Sequence, residues 1–192
     1  SGVQRMYSTT PEHPEGENVV FYVTVYNEPI SQPAQPAGLD VSALLKGMYL
    51  FTRGPETPDR PRVQLLASGV ALPWIEKAQQ LLDQEWGVTA DLWSVTSWNE
   101  LAREAIDCEK HWLNHPQDPR PIPFVTTQLQ AASGPIVAVT DFQRAVPLQI
   151  AQWVPSDYHV LGTDGYGFAD TRAAARRFFQ VDAESVVVQA LQ

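Results

Sequence analysis

The sequence contains a single cysteine, Cys108, among its 192 residues. One cysteine cannot form an internal disulfide, so a small secreted domain built on a disulfide framework is excluded. The chain also lacks any run of about 18 apolar residues, which a membrane-spanning helix requires. Its first residues, Ser1 to Arg5, show no charged segment followed by an apolar one, so we expect no signal peptide and a cytoplasmic location.

Basic residues are scarce. The chain has 13 Lys and Arg against 22 Asp and Glu, which gives a net charge of −9. A chain of this charge repels phosphate backbones, so we expect neither nucleic acid nor a membrane surface as a partner. Hydrophobic residues make up 44% of the sequence and charged residues 18%, as in a folded globular protein.

Proline is abundant and unevenly placed. Half of the 16 prolines lie in the first 61 residues, where each disfavours a helix in the residue before it. Within this part, residues 18–26 are rich in β-branched and aromatic side chains, which predicts a strand. We therefore expect residues 1–61 to form a proline-rich lead-in with one strand that packs on a main domain of residues 62–192.

The main domain alternates between strand and helix patterns. Short apolar runs predict strands, and apolar stripes at helical spacing follow them. The predicted strands are residues 63–69, 88–95, 135–140 and 158–162, with a further short strand at 48–52. The predicted helices are 73–82, about 98–114, 124–131, 146–153, 171–179 and 183–191. This alternation is typical of an α/β fold with a mostly parallel sheet between helices on both faces.

One cluster has the residue types of a metal site. Cys108, His111 and His115 fall on one face of a predicted helix, and a thiolate with two imidazoles can bind zinc. However, no second cysteine exists, and a fourth ligand would have to be a carboxylate. A helix with one buried thiol and two polar histidines near its C-terminus explains the same pattern better.

Two loops follow predicted strands and precede helices. In an open α/β sheet, loops of this kind form the functional edge. The residues that we predict for a rim or an interface at this edge are Ser68, Gly69, Thr163, Asp164, Gly165, Tyr166 and Gly167. Neither loop has the spacing of a phosphate-binding loop, a dinucleotide fingerprint or a nucleophile elbow, and the sequence shows no complete catalytic constellation.

Long stretches of the chain resemble one family. The stretches are residues 5–7, 18–28, 63–69, 93–103, 107–110, 115–116, 158–167 and 179–182. They are similar, in order, to the C-terminal domain of the homodimeric bacterial pyruvate dehydrogenase E1 family, which are thiamine-diphosphate enzymes. The resemblance implies a three-layer α/β/α fold of the transketolase C-terminal type, with a mixed, mostly parallel five-stranded sheet. It also implies that Cys108, His111 and His115 bind no metal.

The resemblance further implies that the chemistry lies elsewhere. In that family, an amino-terminal domain holds thiamine diphosphate and Mg²⁺ through a Gly-Asp-Gly…Asn motif, and a middle domain supplies an activating glutamate. This chain has neither feature. Its string most similar to Gly-Asp-Gly is Thr163-Asp164-Gly165, which lacks the first glycine. We therefore expect no catalytic, cofactor-binding or metal-binding residue here. The parent enzyme would decarboxylate pyruvate oxidatively and pass the acetyl unit to a lipoyl-bearing E2 acetyltransferase, while this part braces the dimer.

Two alternatives stay open at this point. The chain could instead be the C-terminal domain of another transketolase-type 2-oxoacid dehydrogenase E1, such as that for 2-oxoglutarate. It could also be a free-standing flavodoxin-like binding module, which flavin or nucleotide binding by the isolated chain would favour. If the chain belongs to a pyruvate dehydrogenase E1 component, as the resemblance implies, its partners are the rest of the E1 chain, a second E1 subunit and E2.

Overall fold

The computed structural model describes residues 2–22, 25–26 and 29–192. The chain forms two compact units, Ser1–Pro33 and Ala34–Gln192. The first unit contains helix α1 (Gly2–Tyr7). Its Arg5 side chain forms an ion pair with Glu17, and the Glu17 N–H donates to the Arg5 carbonyl oxygen over 3.2 Å.

The strand predicted at residues 18–26 is wrong for the residues that are described. Residues 18–22, 25 and 26 have no strand conformation, and Val23 and Thr24 lie outside the described residues. Val20 is 90% exposed and Tyr22 91% exposed, so their side chains do not pack on a sheet. β-Propensity expresses how well a side chain fits a half-buried sheet surface, and it does not produce a strand without one.

The second unit is a five-stranded sheet between layers of helices. Its strands are β1 (Met48–Thr52), β2 (Arg62–Ala67), β3 (Thr89–Val95), β4 (Ile136–Val139) and β5 (Tyr158–Leu161). Its α-helices are α2 (Val41–Leu45), α3 (Leu72–Leu81), α4 (Trp98–Asn114), α5 (Phe124–Leu129), α6 (Ala145–Leu148), α7 (Arg172–Phe178) and α8 (Ala183–Ala190). Short 3₁₀ turns at Gly69–Ala71 and Ala151–Trp153 and a π-helical turn at Leu82–Trp86 complete it.

The sheet is mixed and mostly parallel, in the order β1-β3-β2-β4-β5. β2, β3, β4 and β5 run parallel to one another, and β1 pairs antiparallel with β3 at the sheet edge. This confirms the predicted fold class, including the single antiparallel strand. The division of the chain at residues 61 and 62 stays a prediction, although the sheet takes β1 from the amino-terminal side of that division.

Two cores lie on the opposite faces of the sheet. On one face, Leu65 packs with residues of α3 and α8; on the other, Leu66 packs with residues of α4 and α5. Both leucines are fully buried, as expected for adjacent residues of a strand covered on both sides. Burial on both faces explains why the sequence of these strands is a continuous apolar run rather than an alternating one.

Local signals set the helix boundaries. Pro73 lies in the first turn of α3, where its missing N–H is least costly. The Ser97 hydroxyl accepts the Glu100 N–H over 3.1 Å and caps α4. The helix predicted at residues 146–153 is instead two short pieces, because the N–H groups of Ile150 and Trp153 bond three residues back and tighten the turn.

Candidate functional site at the carboxyl edge of the sheet

The carboxyl ends of three parallel strands bring the two predicted loops together. Ala67 of β2 pairs with Val139 of β4, which pairs with Leu161 of β5. The Ser68-Gly69 loop and the Thr163-Asp164-Gly165 loop therefore lie at one edge of the sheet, as predicted. Their role as a rim or an interface remains a prediction.

A pair of buried hydroxyls lies between β2 and β4. Ser68 Oγ and Thr140 Oγ1 are 3.0 Å apart, and the Phe142 N–H donates to Thr140 Oγ1 over 3.2 Å. This point is the topological switch of the sheet, since β3 lies on one side of β2 and β4 on the other. The hydroxyls connect the residue after β2 to the residue after β4. Among the described residues, no histidine or carboxylate bonds to either hydroxyl.

The loop after β5 is fastened to the loop after β4. The Thr163 N–H donates to the Phe142 carbonyl oxygen over 2.8 Å, and Thr163 Oγ1 donates to the Asp141 carbonyl oxygen over 2.7 Å. A Cβ at Gly162 would lie 2.8 Å from the Arg144 nitrogen and from the Phe142 oxygen, so the close approach requires glycine. The two loops therefore form one surface.

An arginine completes this fastening. The Arg144 backbone N–H donates to Asp164 Oδ1 over 2.9 Å, and Arg144 Nε donates to Asp164 Oδ2 over 2.6 Å. Both carboxylate oxygens of Asp164 therefore accept bonds from Arg144, and these bonds connect the loop after β5 to the loop after β4. The sequence predicted Asp164 as a residue of this edge but did not indicate Arg144 as its partner. The signal that could have identified Arg144 is that it is a basic residue in the loop after the neighbouring strand β4.

Asp164 should titrate below the usual range of an aspartate. The backbone N–H of Arg144 and then its side chain stabilise the carboxylate, which lowers the pKa of Asp164. The connection is therefore present at neutral pH and is lost as the pH falls through this lowered pKa. A carbon-13 NMR titration should show a low midpoint that rises in Arg144→Ala, while Arg103→Ala, which removes an exposed arginine paired with Glu100, leaves it unchanged. An unaltered midpoint in Arg144→Ala would contradict this account.

The tip of the same loop projects into solvent. Tyr166 is 97% exposed, and Gly165 has φ +93° with open space where a Cβ would lie. Gly167 also has no atom within 4 Å of such a Cβ. An exposed tyrosine between two glycines suits surface contact rather than catalysis.

Cys108, His111 and His115 lie on helix α4 and in the residue that follows it. Burial, followed by the nearby Glu104 carboxylate, raises the pKa of the Cys108 thiol to about 11, so it stays protonated at neutral pH. The His111 and His115 rings stack with centroids 4.5 Å apart. Among the described residues, no three His, Cys, Asp or Glu side chains are grouped so that they could hold a metal ion.

A membrane-spanning helix needs a minimum length and a predominantly apolar composition. Over the residues that the structure describes, none of the helices combines the length and the apolar composition needed to cross a bilayer.

Comparison with solved structures supports the architecture. Transketolase from Campylobacter jejuni matches with a TM-score of 0.52 at 15% identity, over 82% of this chain and 20% of that one. Transketolase from Leishmania mexicana matches with a TM-score of 0.51 at 16% identity, over 81% of this chain and 19% of that one. At such low identity these matches show a shared fold.

Comparison of sequences identifies much closer relatives. The pyruvate dehydrogenase E1 component of Mycolicibacterium smegmatis is 57% identical over all of this chain, that of Mycobacterium tuberculosis is 50% identical over the same length, and that of Escherichia coli is 39% identical over 99% of it. The chain spans 20% of the length of each of these relatives. Residues 47–182 match the model of the transketolase-like TK C-terminal domain, which decides against a flavodoxin-like module. The chain therefore belongs to the transketolase-like C-terminal domain family.

Proposed function

We propose that this chain is the carboxyl-terminal domain of a pyruvate dehydrogenase E1 component and that it acts as a structural domain of that enzyme. The observation that carries the proposal is the 57% identity that extends over the whole chain. Pyruvate is favoured over 2-oxoglutarate as the substrate because the relatives at 39–57% identity carry the pyruvate enzyme's name. We also propose a cytoplasmic location for the enzyme.

The cofactor of the proposed enzyme does not fit the residues of this chain. Thiamine diphosphate would act as the electron sink for decarboxylation, and it requires Mg²⁺ to hold its diphosphate. The nearest string to the family's Gly-Asp-Gly motif contains Asp164, whose carboxylate is already bonded to Arg144 on the exposed loop. Metal and cofactor are therefore assigned to the parts of the enzyme outside this chain.

The residues of this chain would hold a surface in place beside that chemistry. The Ser68–Thr140 pair connects the loop after β2 to the end of β4, and the Arg144–Asp164 pair connects the loop after β4 to the loop after β5. Together these contacts fix the loops of the carboxyl edge relative to one another. Such an edge can border the remaining domains or a second E1 subunit, and Tyr166 at its tip suits such a contact. The lipoyl-bearing E2 acetyltransferase is the proposed acceptor of the acetyl unit in the complete enzyme.

Cofactor titration tests this division of labour. Isothermal calorimetry of the 192-residue chain with thiamine diphosphate and Mg²⁺ should give no heat of binding in the micromolar range, and the chain should not decarboxylate pyruvate. The complete E1 enzyme that includes this sequence should do both, with pyruvate preferred to 2-oxoglutarate. Micromolar binding of the cofactor by the isolated chain would overturn the structural role.

A further inference from the structure

A second surface lies away from the carboxyl edge, beside helix α4. An open groove of about 460 Å³ runs between α4, the loop of residues 115–123 and the Ala151–Trp153 turn. A neighbouring groove of about 590 Å³ follows the same helix. Cys108 and Pro121 line both, so the two form one elongated depression, which we call the α4 groove.

The walls of the α4 groove are apolar and held in place. Proline residues 119, 121, 123 and 155 line it, and their fixed φ angles restrict the loop. The Trp153 indole N–H donates to Glu109 Oε1 over 2.9 Å, and Thr126 Oγ1 donates to the Trp153 carbonyl oxygen over 2.6 Å. A groove with a fixed aromatic wall loses little entropy when a ligand binds.

The charge along the groove is negative. Glu104, Asp107, Glu109 and Asp118 line it, against Arg120 and His111. Asp107 lies 3.5 Å from Lys110 and Asp118 lies 3.5 Å from His111, and all four of these side chains are at least half exposed. Such pairs leave the carboxylates accessible to a better partner.

The two glutamates receive hydrogen bonds from neutral groups. Glu104 Oε1 accepts the Cys108 thiol over 3.4 Å, and Oε2 accepts the Phe124 N–H over 2.9 Å. Glu109 accepts the indole of Trp153. These bonds orient the carboxylates without neutralising them. Arg120, the arginine of the groove, has its guanidinium over the Trp112 ring at 4.6 Å.

We propose that the α4 groove binds a basic peptide segment in which lysine or arginine alternates with apolar residues. The aliphatic stems of such side chains pack on proline, Ile122 and Trp153, while their charged ends reach the carboxylates. Volumes of this size accommodate one or two side chains at a time. Burial is the main cause of the raised pKa of Cys108, and the nearby carboxylates of Glu104 and Asp107 add to it.

The test uses two variants that make the same chemical change at different places. Ile122 lines the groove and is 59% exposed, whereas Leu113 is 73% exposed and does not line it. The probe is a fluorescein-labelled peptide of nine alternating arginine and leucine residues, followed by anisotropy at about 0.15 M salt. Ile122→Lys should weaken binding about tenfold through repulsion, while Leu113→Lys changes it less than about twofold.

A second pair of variants removes one negative charge at a time. Glu109→Gln, which can still accept the indole N–H, should weaken binding about threefold or more, and the exposed Glu85→Gln should not. Equal losses in the paired variants would show attraction to the overall charge alone and would overturn the proposal. So would equal binding of a peptide with glutamine in place of arginine, or no binding at about 1 mM. Urea midpoints should match in the variants at Ile122, Leu113 and Glu85, because these sites are exposed. The midpoint of Glu109→Gln should also match, because the glutamine can still accept the Trp153 indole N–H.

Discussion

Replacement of Asp91 by alanine is expected to lower the free energy of unfolding by about 3 kcal/mol. Asp91 lies on β3 with its side chain only 6% exposed. Its Oδ1 accepts bonds from Arg62 over 2.6 Å and from the Gly54 N–H over 2.8 Å, and its Oδ2 accepts the Gln64 amide over 3.1 Å. Without the carboxylate, the Gly54 N–H and one N–H of the Gln64 amide lose their partners, and Arg62 loses its buried counter-ion. Urea denaturation, with an unchanged slope, measures the loss.

A matched control separates burial from charge pairing. Asp83 pairs with Arg60 at the same distance of 2.6 Å, but these side chains are 48% and 31% exposed. Asp83→Ala should cost less than about 1 kcal/mol, because exposed ion pairs contribute little. An equal free energy of unfolding in the two variants would show that the buried hydrogen bonds of Asp91 contribute no more stability than an exposed ion pair, which would contradict the prediction.

Alanine at Gly134 should destabilise the protein by more than about 3 kcal/mol or prevent folding. Gly134 has φ +87°, and a Cβ there would lie 1.7 Å from the Arg62 carbonyl oxygen. This residue leads into β4, directly against the start of β2, so relief of the clash would separate two neighbouring strands. Soluble yield and the thermal midpoint of the variant measure the effect.

Gly165 provides the comparison for this substitution. Its φ of +93° is similar, but nothing lies within 4 Å of a Cβ built there. Gly165→Ala should therefore show the backbone strain alone, about 1–2 kcal/mol. A loss of the same size at Gly134 would mean that the backbone there yields without cost, contrary to the close packing described.

The sequence predicted the sheet well because its inner strands are covered on both faces. Val63, Leu65 and Leu66 belong to a short apolar run with a proline before it and small residues after it. Such a pattern is typical of a buried strand. The expected placement of Ser68 and Asp164 at one edge followed from the position of both loops after strands that lead into helices. The apolar run at residues 18–26 gave an equally strong local signal, but strand formation depends on a partner that local sequence does not specify.

The long-range polar contacts could not be predicted in the same way. Asp91 interrupts an apolar strand, which indicates a buried partner, but nothing local identifies Arg62, 29 positions away. Arg144 is likewise separated by 20 positions from Asp164. Each pairing is set by which strands become neighbours, and strand neighbours follow from the packing of the whole unit.

The strand order also determines where loop closure is most expensive during folding. β2 pairs with β3 and β4 pairs with β5 across short segments, as the partners Arg62 with Thr89 and Ile136 with Tyr158 show. Gln64 pairs with Ile136 across a segment more than twice as long, which adds roughly 1 kcal/mol of closure entropy. The largest closure cost therefore lies where two halves of the sheet, β1-β3-β2 and β4-β5, meet along the line between β2 and β4. The Ser68–Thr140 hydroxyls lie at the carboxyl end of that line, so their hydrogen bond can form only after the halves have joined.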